Sequence, residues 1–68
     1  MVIYEPGTLK ALRRQRRLRV EDLAAKARVS PRQVHYIEHG SIPKADTLAK
    51  LATALGVPVQ AFFSGRRA

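Results

Sequence analysis

The stretch VEDLAAKARVSPRQVHYIEHG, running from Val20 to Gly40, decides the architecture. Both of its halves have helical period, and only Arg28, Val29 and Ser30 lie between Ala27 and Pro31. The first half puts Val20, Leu23, Ala24 and Ala27 on one face, which predicts a helix over Val20–Ala27. Glu21 and Asp22 fall in its first turn, where the helix dipole favours negative charge. The second half opens on the best start signal in the chain: Ser30 as N-cap, Pro31 at the first helical position and Gln33 completing a capping box. Gly40 stops it, because glycine adopts the left-handed backbone that a helix end needs. So short a connection forces the two helices into a tight, steeply angled pair. The small Ala24 sits at the crossing, with Val29, Val34 and Ile37 sealing the pair against the rest.

Working outward, a first helix is expected from near Pro6 to near Arg17, with Leu9, Leu12, Arg13 and Arg16 on one face and Leu18 following as an apolar clamp. A fourth spans about 44–55, with Leu48, Leu51, Ala52 and Leu55 as its stripe and Gly56 as its end. A last short helix over about 59–63 returns Phe62 to the core. Val2-Ile3-Tyr4 is the one strand-like scrap. The reading is all-α: a compact five-helix bundle in one domain, with its core over about 6–63, a short flexible N-terminal arm and a basic tail at Arg66 and Arg67.

Composition narrows the function. A chain of 68 residues leaves no room for a second domain, and a hydrophobic fraction of 46% argues against a disordered basic tail. The lack of cysteine excludes a disulfide scaffold and a thiolate metal site. The apolar stretches 2–4 and 57–63 are too short to span a bilayer, and the start does not read as a signal peptide. A soluble, cytoplasmic protein without membrane contact is therefore expected. Thirteen Lys and Arg against five Asp and Glu give a net charge of +8, so polyanions are attracted, nucleic acid first among them.

At about 100° per residue, the third helix separates into two faces. Val34, Ile37 and Glu38 lie on one side; Arg32, His35, Tyr36 and His39 lie on the other, with Gln33 on the flank. The outward side carries donors, acceptors and a ring, but no acid and no aliphatic residue. A solvated helix face is the plain alternative. A DNA major groove admits one such helix, and Arg can pair in two-pronged fashion with guanine O6 and N7. Arg32 is the leading base-reading candidate, followed by Tyr36, His35 and Gln33. Lys10, Arg13, Arg14, Arg16, Arg17 and Arg19 place six cations in ten residues, a density that suits phosphate tracking better than solubility alone.

The chain resembles the Cro and phage-repressor class of helix-turn-helix regulators, the xenobiotic response element family, over about 9–63. The resemblance rests on Leu18-Arg19-Val20-Glu21-Asp22-Leu23-Ala24, then Ala27-Arg28-Val29-Ser30, then Val34 with Ile37-Glu38-His39-Gly40. Pro43, Thr47-Leu48 and Leu51-Ala52-Thr53-Ala54-Leu55-Gly56-Val57 extend it. It implies that the third helix is the recognition helix, with Pro31, Arg32, His35 and Tyr36 at the base-contacting positions and Pro31 limited to shape contact. It also implies a structural ion pair between Arg13 and Glu38, both of which fall beside the core. Phosphate contacts are implied for Ser30 and for His39, Ser41 and Lys44, and the basic run adds Arg14.

The sequence departs from the family at three positions. Val20 stands where a phosphate-binding Gln is frequent, and Arg19 is the expected substitute. Arg17 and Arg28 stand at two turn glycines; left-handed angles there cost on the order of 1 kcal/mol each, in exchange for guanidinium groups near the DNA backbone.

Other chemistries fare worse. His35 and His39 have chelating spacing but no Cys or outward acid beside them, so no metal or cofactor is expected. The paired carboxylates Glu21-Asp22 belong to a helix first turn, so an enzyme is not expected. The expected function is a sequence-specific repressor, a homodimer on a palindromic duplex and so nucleoid-associated, with Val59, Phe62, Phe63 or residues 1–5 as the candidate dimer surface. The rivals are a DNA-binding antitoxin that also neutralises a toxin protein, and a protein- or RNA-binding adaptor that does not read bases.

Overall fold

Four α-helices form where the apolar spacing places them: α1 (Thr8–Gln15), α2 (Val20–Ala27), α3 (Pro31–Glu38) and α4 (Ala45–Leu55). The computed structural model describes residues 2–65, so the expected basic tail at Arg66 and Arg67 lies outside the described residues. α1 starts later than expected, because Pro6 and Gly7 form a turn whose bond runs from the Thr8 N–H to the Glu5 carbonyl at 3.2 Å.

All four helices end in the same way. The chain turns left-handed at Arg17 (φ 56°), Arg28 (φ 58°) and Gly56 (φ 73°), and takes a positive φ of 114° at Gly40. The next N–H then reaches back to a carbonyl five residues earlier: Leu18 to Arg13, Val29 to Ala24, Ser41 to Tyr36 and Val57 to Ala52, at 2.9–3.1 Å. This bond satisfies a carbonyl that the helix end would otherwise leave unpaired. It also closes α1 at Gln15, short of the expected Arg17.

Leu9, Leu23, Val34, Leu51 and Phe62 are fully buried at the centre, and Ala24, Ala27, Ile37, Leu48, Ala52 and Leu55 complete the core. Ala24 and Ala27 on α2 let α3 and α4 approach closely.

The expected fifth helix and free N-terminal arm are corrected by the structure. Val59–Phe62 is a single 3₁₀ turn, closed by the Ala61 N–H on the Pro58 carbonyl at 3.0 Å. The chain then leaves in extended conformation, and β2 (Phe63–Gly65) pairs antiparallel with β1 (Val2–Tyr4). Among the described residues the domain is thus mainly helical, with four helices and a small hairpin rather than five helices. The 3₁₀ turn and the strand divide the two adjacent phenylalanines: Phe62 fills the core, while Phe63 stands edge-on to Tyr4 with ring centroids 5.7 Å apart. Burial raises the Tyr4 pKa, and among the described residues its hydroxyl has no hydrogen-bond partner.

Candidate nucleic-acid interface

The start of α3 is fixed by two reciprocal bonds. Ser30 Oγ accepts from the Gln33 N–H at 3.1 Å, and the Ser30 N–H donates to Gln33 Oε1 at 3.0 Å. Both side chains are thereby partly committed. Gln33 keeps only its amide donors, whereas reading adenine in two-pronged fashion needs a donor and an acceptor together. Gln33 therefore ranks below its neighbours as a base reader.

Beyond the cap, Arg32, His35, Tyr36 and His39 all stand exposed on one side of α3, with Tyr36 53% accessible. Val34 and Ile37 anchor the opposite side in the core. His39 Nδ1 lies 2.8 Å from the His35 carbonyl, which can only accept, so that nitrogen carries a proton. The two imidazole rings lie 4.1 Å apart, and His35 also lies 6.0 Å from the Tyr36 ring, centroid to centroid. Arginine, imidazole and phenol thus form one continuous row.

The angle of that row is set from behind. Arg13 on α1 donates through Nε and Nη2 to the two carboxylate oxygens of Glu38, at 2.6 and 3.2 Å, and through Nη1 to the Leu18 carbonyl at 2.8 Å. The two side chains are only 13% and 4% exposed, which makes the pair an interior brace.

The basic run divides in two. Arg13 and Arg16 face inward work: Arg16 Nε donates to the Leu55 carbonyl at 2.6 Å, closing the end of α4. Arg19 donates to Asp22 through its backbone N–H and its guanidinium, at 3.0 and 3.2 Å, which caps α2 and screens its charge. Those hydrogen bonds hold the Asp22 carboxyl below its ordinary range and push Arg19 higher. Arg14 and Arg17 remain exposed and, among the described residues, outside any ion pair. Arg28, Ser30, His39, Ser41 and Lys44 are likewise exposed along α3 and its flanking turns.

Two side chains of this surface escape sequence reading. A groove of about 430 Å³ runs beside α3, and its lining includes Arg28, Tyr36, Ile42, Lys44, Asp46 and Lys50. Ile42 is 75% exposed on the loop between α3 and α4. No periodicity marks it, since it stands between Ser41 and Pro43 outside any helix; Lys50 reads simply as the polar side of α4. Among the described residues no cluster of His, Cys, Asp or Glu could hold a metal ion, and no helix is long and apolar enough to cross a membrane.

Residues 9–62 match a family model described as Helix-turn-helix, HTH_3, which spans α1 through the 3₁₀ turn. The chain belongs to the Cro and phage-repressor helix-turn-helix family. This helix-turn-helix domain is accordingly a DNA-binding transcription regulator, from a family that is not typically enzymatic. In it, α2 and α3 are the paired helices, and α3 turns Arg32, His35 and Tyr36 outward. The match omits both strands of the hairpin. No curated protein matches the chain.

Proposed function

We propose that this regulator is a sequence-specific repressor that reads double-stranded DNA by laying α3 in the major groove. The observation that carries the reading is the exposed row of Arg32, His35, Tyr36 and His39, held at a fixed angle by the buried Arg13–Glu38 pair. Arg32 reads a guanine, and Tyr36 and His35 one turn further on meet a base edge or a thymine methyl. Arg14, Arg17, Arg28, Ser30, His39, Ser41 and Lys44 hold phosphates on either side, which sets register without sequence information. Arg19 holds a phosphate there only when its guanidinium is released from Asp22. Two subunits occupy half-sites about 34 Å apart and block polymerase by occupancy.

Selection of binding sites from random duplexes tests this reading, with a palindromic consensus as the expected result. Arg32→Ala should then relax preference at one base pair per half-site by about 1–3 kcal/mol, while Arg14→Ala weakens all sequences alike. Binding that discriminates less than about tenfold between the selected site and any other duplex would replace the repressor by a non-reading adaptor.

A further inference from the structure

The hairpin lies outside the family match, and among the described residues the outer edge of β1 is unpaired. The Glu5 N–H donates to the Phe62 carbonyl at 2.8 Å, while Tyr4 stands opposite Phe63 and Ile3 opposite Ser64. Antiparallel ladders alternate, so Ile3 turns its backbone groups toward β2, and Val2 and Tyr4 turn theirs away. The side chains alternate the other way: Tyr4 packs on the core, and Ile3, 41% exposed, stands on the opposite face. Val2-Ile3-Tyr4 is short but contains no charge and no proline, two of the devices by which proteins keep a strand edge from pairing.

Charge says what can cover this edge. All the Lys and Arg residues fall within 10–50 or at Arg66 and Arg67, and the only charged side chain in 1–9 and 51–65 is Glu5. A second copy, itself at +8, meets least repulsion here. The edge of β2 is less suited, because Arg66 and Arg67 follow it directly in sequence, whereas the first cation after β1 is Lys10.

We infer that β1 is the dimer interface: it pairs antiparallel with β1 of a second copy, about a two-fold axis through Ile3, giving one four-stranded sheet. In that register Val2 of each copy exchanges backbone hydrogen bonds with Tyr4 of the other. The two Ile3 side chains meet at the axis, in the closer, non-hydrogen-bonded kind of pair. The inference rests on the homodimer reading above and names the surface that it needs.

Sedimentation equilibrium of the DNA-free protein tests it. The wild type should be a dimer, and Ile3→Lys and Ile3→Glu should each be monomers with unchanged helical circular dichroism, since Ile3 is outside the core. An equal mixture of the two variants should recover the dimer, because opposite charges then face each other across the axis. Val59→Lys, on the exposed part of the 3₁₀ turn, should leave the dimer intact. A monomeric wild type, a dimeric Ile3→Lys protein, a mixture that stays monomeric, or a dimer lost through Val59→Lys would overturn the interface. The DNA reading fails separately: Ile3→Lys should keep its sequence preference on a single half-site, and absence of any preference in the wild type counts against base reading, not against β1.

Discussion

Arg17 and Arg28 hold backbone angles that L-residues with a Cβ avoid, at a cost on the order of 1–2 kcal/mol each. Glycine would serve the two turns without that cost, so the cost points to use of the side chain. Arg28 borders the groove beside Tyr36, where a DNA strand flanking α3 would run. Arg28→Gly should therefore raise the urea midpoint while weakening duplex binding. It should also flatten the plot of log K against log salt by about 0.9, the share of one phosphate contact. A more stable variant with an unchanged salt slope would place Arg28 off the DNA. At this scale the sequence was legible where a residue's partner is near or family-patterned, as for Ser30 with Gln33 or Arg13 with Glu38. It was opaque for Arg16, whose acceptor is a backbone carbonyl 39 residues away and leaves no mark in the composition of either segment.

Helix ends follow local rules, and α2, α3 and α4 lie within a residue or so of where their caps predict them. The strands do not, because three residues carry no period and the partner of β1 begins 59 residues further on. Phe63–Gly65 reads equally well as the end of a helix until Tyr4 is known to be waiting for it. Of the caps, the one on α2 is pH-sensitive. The folded Asp22 carboxyl titrates lower than an unfolded one, so its contribution is complete above the ordinary carboxylate range near pH 4 and fades as pH falls through the lowered value. Asp22→Asn should accordingly lower the thermal midpoint at neutral pH. The gap to wild type should close in acid, as thermal scans at a series of pH values would show; a gap independent of pH would mean that the carboxylate charge contributes nothing.

For the whole molecule, the Arg13–Glu38 pair ties α1 to α3 across 25 residues of sequence. A core in a chain this short rarely supplies more than roughly 3–5 kcal/mol, and breaking a buried ion pair costs about the same. Glu38→Ala leaves Arg13 without its carboxylate beneath α3, so the variant should lose most of its helical circular dichroism at 25 °C. Arg13→Met with Glu38→Leu, which leaves no stranded charge, should fold again but orient α3 less sharply, seen as folded protein with weaker site preference. Retention of the wild-type midpoint by Glu38→Ala would show that the pair is dispensable.

The register of the hairpin has a mechanical consequence. Val2 faces Gly65, so traction applied outward at those two positions peels the strands apart from their open end, one bond at a time, instead of shearing them together. The clasp yields before tension reaches the helices, and a tether or fused neighbour at either side would tug on the sheet while leaving the polar row of α3 undisturbed.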